Sequence, residues 1–451
     1  MYKKIAIIFV CFLFISSIFA NAKIINQPIL KNANDQTIQN QIAINKGYIE
    51  EKNGVNIVYL NGSYYEMGYQ QGTLLKEDII KSYNAWFSKL EKNGVTKQDL
   101  LNMWNQSKEN IPQCYIDEVQ GISDGAEIPF EDVASIVVIG VGLYTSNKCS
   151  FFSAWGNATK NGDLYHVQSY DLGLDLKDPD TDTYESNRQI IVVRTPDVGY
   201  DTVSLSLPGC ICIEGGMNER QIVISYTNIE SDDCSINGVP LGLRERMVLD
   251  NADSYLDAVD IMIENKVCGK NILISDGKIP LSVVVELDGK DSYVSTWDDE
   301  VEDTYPSEII NNVLRRSNFY LNYSIAGLED DCYKKSTFFR FLLYRLNFDI
   351  KCYYFYTMLH FKVLSNEIKR NMGDFDHNLS INVLRDVYSG KTNLFYGLMN
   401  LLGGSYKNSW SQLSICPNTG DIIISIAKDG VTSFKQDLNW LNFDEIVNNP
   451  S

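Results

Sequence analysis

From Cys149 onward the chain breaks into short apolar and β-branched runs, each bounded by Gly, Pro, Asn or Asp: Leu164 to Tyr170, Gln189 to Arg194, Val203 to Leu207, Gln221 to Thr227, Asn271 to Ser275, Leu281 to Leu287 and Tyr293 to Thr296. Runs of that length and punctuation read as strands. The part before Cys149 reads differently. After one strand at Val55 to Leu60, the stretch Met67 to Leu90 carries Leu74, Leu75, Ile79, Ile80 and Trp86 at helical spacing, and helical patterns continue to about Gly140. Leu243 to Asn265 reads as two helices and Ser307 to about Gly390 as several more. Strand pairing returns with Trp410 to Ile415 and Asp421 to Ala427, across the turn-rich Pro417-Asn418-Thr419-Gly420. No Pro/Gly/Ser tract, low-complexity segment or repeat divides these parts, so one large domain or two interleaved halves is expected. The fold class is α+β, with two antiparallel sheets covered by helices.

Residues 1 to 22 read as a secretory leader: Lys3 and Lys4 are the positive start, Ile5 to Ile18 the apolar stretch, and Ala20-Asn21-Ala22 the small-residue site before Lys23. The apolar run falls short of the roughly 20 residues that a spanning helix needs, so stable membrane insertion is not expected. Acceptor triplets beginning at Asn61, Asn105, Asn157, Asn322 and Asn378 suit a glycoprotein that is secreted or held in an endomembrane or lysosomal lumen. A net charge of -19 argues against nucleic acid and anionic membrane surfaces as partners. No cofactor is expected.

Ten cysteines include Cys11 in the leader, which leaves an odd number in the mature chain. In an oxidising compartment that predicts disulfides with one thiol left over. Parity alone does not choose among Cys114, Cys149, Cys210, Cys212, Cys234, Cys268, Cys332, Cys352 and Cys416. Cys210-Ile211-Cys212 is too tight for a zinc knuckle, and no metal site is expected. Cys149 stands out by its surroundings: it opens the aromatic run Phe151-Phe152-Ser153-Ala154-Trp155, and a second strand-like run ends on Asp171. That places a nucleophile near an orienting acid. A thiol of pKa about 8.5 needs a base, yet only His166, His360 and His377 exist, and none sits in a cysteine–histidine signature. Were the Lys148–Cys149 bond cut, the freed α-amino group of Cys149, with a pKa of about 7.7 to 8.0, would serve as base itself.

Several segments, in order, resemble the isopenicillin-N acyltransferase-like family. Tyr65-Glu66-Met67-Gly68-Tyr69-Gln70-Gln71-Gly72 is similar to its opening motif. Cys149-Ser150-Phe151 and Gln168-Ser169-Tyr170-Asp171 are similar to its nucleophile and its Gln-Asn-aromatic-Asp strand. Gly216-Met217-Asn218-Glu219 with Ile224 to Asn228 resembles its Gly-x-Asn-Glu hairpin, and Gly238-Val239-Pro240 with Arg246 to Leu249 its Arg-containing helix. The resemblance implies an N-terminal nucleophile hydrolase: a four-layer αββα fold made as a precursor that cuts itself before Cys149. It implies an N-terminal helical segment at 23–148 and a catalytic chain at 149–451, the two staying associated. Cys149 would be nucleophile and, through its amine, base; Asp171 would hold the ammonium; Asn228 would donate to the oxyanion. Arg246 would be a charged partner in the site, with Arg244 competing for that role. Gln168 stands where choloylglycine-hydrolase relatives carry Arg, and the family's later Thr-Asn-His-type segment has no counterpart here, which leaves a second oxyanion donor unassigned.

The expected reaction is cleavage of a carbon–nitrogen amide bond, with the acyl group passing through a Cys149 thioester to water or to another amine. The competing expectations are a phospholipase-B-like hydrolase of lipid esters and a secreted binding protein that keeps the fold without the chemistry. Residue by residue the bland readings are a turn acid for Asp171, a loop residue for Asn228 and a solvated ion pair with Glu245 or Asp250 for Arg246.

Overall fold

The computed structural model describes residues 47–139, 149–229, 231, 234, 237–326, 354–394, 396–397 and 409–448. The leader, Lys148, Cys332 and Cys352 lie outside these residues.

Two sheets form the centre. The larger has nine strands in the order β1 (Tyr48–Lys52), β2 (Val55–Gly62), β5 (Ile190–Pro196), β6 (Thr202–Ser206), β7 (Gly215–Asn218), β8 (Ile222–Asn228), β9 (Lys270–Asp276), β10 (Leu281–Leu287) and β11 (Ser292–Ser295). The smaller has six, ordered β12 (Val313–Arg316), β3 (Ser150–Gly156), β4 (Gly162–Asp171), β13 (Ser409–Cys416), β14 (Asp421–Ile426) and β15 (Asn439–Asn442). The smaller sheet is antiparallel throughout, but in the larger one β2 and β5 run parallel, with Ile57 opposite Ile191. The expectation of two wholly antiparallel sheets is corrected there: the chain leaves the larger sheet after β2, forms a helical layer and then β3 and β4 in the other sheet, and returns at β5 in the direction it left.

Period-two alternation builds the layers. In β2, Val58 and Leu60 face a helical layer made by Tyr64–Leu74, Lys76–Lys92, Lys97–Ser107, Gln113–Ala126 and Phe130–Val137, while Val55, Ile57 and Tyr59 face the other sheet. In β8 and β9, Ile222, Ile224, Ile272 and Ile274 pack against Leu241–Asn251 and Tyr255–Ile263. Phe152, Ala154, Tyr165 and Val167 of β3 and β4 meet Tyr354–Arg370 and His377–Ser389 on the far side. Phe151, Trp155, Leu273 and Val284 fill part of the space between the sheets. The order is helix, sheet, sheet, helix.

A helix seam accounts for the Tyr65–Gly72 motif. Ser63 caps the Tyr64–Leu74 helix in a box with Glu66. A Cβ on Gly68 would lie 2.1 Å from the Glu118 carbonyl oxygen, and one on Gly121 would lie 2.2 Å from that of Tyr65. Glycine is therefore required on both sides of this crossing. The single helix expected from Met67 to Leu90 is two, because the backbone leaves helical geometry at Leu75. Three strands, β1, β12 and β15, fall where no strand was expected. They are short edge strands of four or five residues, too brief to show a period.

Candidate active site

Cys149 sits immediately before β3, a strand held on both sides by β12 and β4, and its side chain is fully buried. Burial, reinforced by the Asp171 carboxylate, pushes the thiol up to about 12. Hydrogen bonds from the backbone of Asp171 and of Asn228, and the charge of Lys270, pull the other way. Cys149, the Asp171 that ends β4 and the Asn228 that ends β8 thus lie together, although they are spread over some 80 residues of sequence.

Asp171 is fully buried and held from behind. Ser169 Oγ donates to its Oδ1 at 2.8 Å and Tyr388 OH to its Oδ2 at 2.6 Å. Tyr388 lies 3.1 Å from Ser150 Oγ, which is 3.0 Å from His360 Nε2, and His360 Nδ1 in turn meets the Tyr396 hydroxyl. Tyr388, His360 and Tyr396 have no sequence signature: they come from helices more than 200 residues beyond Ser150. The second histidine of the core, His166, bridges the sheets, with Nδ1 2.8 Å from Ser275 Oγ and Nε2 2.7 Å from Ser225 Oγ. Burial pushes it down to about 3, so it stays neutral.

Asn228 lines a cavity of about 130 Å³ whose walls include Trp86, Ile139, Tyr170, Leu207, Cys210, Cys212, Glu214, Tyr226, Leu241 and Lys270. Tyr170 and Tyr226 meet edge-on, 5.8 Å between ring centres. Gln168 donates from Nε2 to the Tyr226 carbonyl at 2.9 Å, so this side chain fastens β4 to β8 across the two sheets. Lys270, which is paired with Asn228 across β8 and β9, was not singled out from the sequence: a lysine opening a strand carries no mark of being buried.

Arg246 is placed elsewhere. Its Nε is 2.7 Å from Asp250 Oδ1 and its Nη1 3.4 Å from Glu118 Oε1, and Arg194 shares Glu118 at 3.7 Å. Tyr64 and Tyr115 both donate to Asp250 at 3.0 Å. Asp250 was one of the partners anticipated for Arg246, but the pair is buried rather than solvated. Arg246 does not line the cavity; its charge acts on the Cys212 thiol in the wall. Arg244 donates to the Met262 carbonyl. Asn218 of the hairpin motif is likewise architectural: its Nδ2 donates to Leu249 and Ala252 carbonyls at 2.9 Å and its Oδ1 accepts from Arg220 and Ile222 backbone N–H groups.

Among the described residues no disulfide is formed; Cys212 Sγ lies 3.7 Å from the Val137 carbonyl oxygen and Cys234 Sγ 3.4 Å from that of Ser231. Among the same residues no helix is long and apolar enough to cross a membrane.

A four-layer αββα sandwich with a sequestered thiol heading an interior strand is the architecture these observations define. No family model matches the chain. It is similar to an uncharacterized protein of Archaeoglobus fulgidus, 23% identical over 253 residues, covering 49% of this chain and 41% of the relative. It is also similar to two proteins of Dictyostelium discoideum: dcd1A, 23% identical over 287 residues and covering 57% of this chain and 63% of that one, and dcd1B, 28% identical over 150 residues and covering 28% and 29%. The chain spans less than two thirds of the length of each. Similar solved structures include a Caenorhabditis elegans N-acylethanolamine-hydrolyzing acid amidase ortholog, with TM-score 0.38, 16% identity, and coverage of 65% of this chain and 100% of that one. Penicillin V acylase from Agrobacterium tumefaciens gives a TM-score of 0.37 at 12% identity, with coverage of 66% and 87%.

Proposed function

We propose that the protein is an N-terminal nucleophile amidohydrolase or acyltransferase, activated by cutting its own Lys148–Cys149 bond and working in the secretory or lysosomal lumen. The observation that carries this reading is the state of Cys149: a fully buried thiol pushed up to about 12, beside Asp171 and the backbone of Asn228, whose residue lines the cavity. Such a thiol is inert at neutral pH until a base reaches it. His166 is committed to Ser225 and Ser275, and His360 to Ser150 and Tyr396. An amine on Cys149 itself would be the base at the required distance.

In the self-cleavage the sulfur adds to the Lys148 carbonyl carbon. The Cys149 nitrogen leaves as a free amine, taking the thiol proton, and water hydrolyses the thioester to release the Lys148 carboxylate. In turnover the amine takes the thiol proton, sulfur attacks the substrate amide, and the proton passes to the departing amine. The thioester then yields to water or to a second amine. Asp171 would keep the ammonium in place, and the Asn228 side chain would donate to the oxyanion. The leader at residues 1–22 and the acceptor triplets support the location, and Asn105, Asn157 and Asn378 are exposed.

The test is N-terminal sequencing of secreted protein together with turnover of a fluorogenic N-acyl amide. An N-terminus at Cys149 is expected in active material, and a single inactive chain for Cys149→Ala. Full activity in an uncut chain would overturn the proposal.

A further inference from the structure

Some buried cations among the described residues face carboxylates, while Arg244 and Arg315 give their N–H groups to carbonyl and hydroxyl oxygens away from the cavity. Arg246 faces Asp250 and Glu118, and Arg316 faces Glu286 at 2.7 Å and Glu302 at 2.5 Å. Both are matched by carboxylates, as burial of a charge demands. Lys270 differs. It is 8% exposed, lines the cavity next to Asn228, and rests its ammonium 3.8 Å from the centre of the Tyr226 ring. Among the described residues no carboxylate lies within ion-pairing distance of it. Burial lowers its pKa, and the charges that oppose this effect are led by Glu245 and Cys149.

Two acids flank it. Glu214 is in the cavity wall and Glu245 is buried close by. One carboxylate oxygen of Glu214 and both of Glu245 are without a hydrogen-bond partner. Burial first of all pushes each of the two up to about 8. Both carboxyls hold their protons more tightly than a solvated acid, and among the described residues neither is ion-paired with the ammonium. The remaining wall is largely apolar, with Trp86, Ile139, Leu172, Leu207 and Leu241.

We propose that Lys270 is the anchor for an anionic group on the substrate, and that the substrate class is an aliphatic N-acyl amino acid. This deepens the amidase reading and rests on it. The argument is one of placement. Lys270 is paired across β8 and β9 with Asn228, whose backbone meets the Cys149 sulfur, so a scissile carbonyl at that sulfur has the groups nearest its amide nitrogen on the Lys270 side of the cavity. The carboxylate of an amino-acid leaving group supplies the counter-ion that the protein omits, and the acyl chain takes the apolar wall. A neutral leaving group leaves the ammonium unpaired.

Binding tests this apart from catalysis. Cys149→Ala protein is titrated calorimetrically with N-octanoylglycine and with N-octanoylethanolamine. The acid is expected to bind at least tenfold more tightly. Adding Lys270→Met should abolish that preference, and Lys270→Arg should restore part of it, with the melting curve of each variant checking its fold. Equal affinities, a preference that survives Lys270→Met, or no binding of either probe overturns the anchor. Hydrolysis by the processed enzyme is read separately. A Lys270-dependent preference without cleavage of either probe sinks the amidase reading and leaves the anchor standing. Cleavage of both probes at equal kcat/KM, unchanged by Lys270→Met, does the reverse.

Discussion

Cys149 and Asp171 owe their surroundings to residues far away in sequence, and Tyr388 is the sharpest case. Its hydroxyl donates to Asp171 Oδ2 at 2.6 Å from a helix packed on the outer face of the smaller sheet. A hydrogen bond to a charged group contributes about 1.5 to 3 kcal/mol. Tyr388→Phe is therefore expected to slow self-cleavage and kcat by roughly 10- to 100-fold, with KM little changed. Timed N-terminal sequencing and steady-state kinetics would show it; a raised KM with normal processing would mean that Tyr388 shapes the cavity instead. What was legible at this scale was local. Cys149, Asp171 and Asn228 each sit at the end of a strand that its own residues announce. Arg246 was legible only as an arginine on a helix. Whether it meets substrate or Asp250 is decided by Glu118, Tyr64 and Tyr115, which belong to another layer. Lys270, Tyr388 and His360 were illegible because burial of a polar side chain leaves no periodic trace.

Among elements, the tightest contact is the crossing of Tyr64–Leu74 over Gln113–Ala126. Gly68 and Gly72 of one helix meet Gly121 and Gly125 of the other, with backbone where a side chain would stand. The Gly68 motif, read from the sequence only as similar to a family's opening motif, is a helix–helix seam. Its neighbour Gln70 turns to the sheet, accepting from the Asn61 N–H at 3.0 Å and donating to the Asn61 carbonyl at 2.8 Å. Gly68→Ala should lower stability to urea by about 1 to 3 kcal/mol through overpacking, without changing the chemistry of any cut molecules that form. A midpoint within error of wild type would show that the seam can open. Strands longer than six residues and amphipathic helices were readable because a period repeats within them. The parallel pairing of β2 with β5 was not, since a strand's sequence does not record the direction of its neighbour.

Across the whole molecule, burial of acids sets a pH response. Glu214 and Glu245 are pushed up to about 8 and Glu185 to about 7, in each case chiefly by burial. Between their unfolded values near 4.3 and these folded ones, the native state keeps protons that the unfolded chain has released, so stability falls as pH rises. His166 has the opposite sign. Held neutral down to about 3, it makes stability rise with pH only up to its unfolded value near 6.5. Above about pH 7 the glutamates act without that opposition, and the melting midpoint is expected to drop from pH 7 to pH 8. Glu214→Gln with Glu245→Gln should flatten the slope. A midpoint that climbs over the same interval would contradict the buried, protonated glutamates.

The interleaving of the two segments has a consequence for molecularity. β2, from before the proposed cut, is built into the larger sheet against β5, from after it, while β3 is clamped between β12 and β4. Until the bond opens, folding is a first-order event in one chain. Once it has opened, the same native contacts join two polypeptides, and reaching them from the unfolded state becomes second order, dependent on concentration and on finding the right mate. Cleavage that waits for the folded site would thus act as a ratchet: the molecule uses its connectivity to assemble and then gives up the means of doing so again.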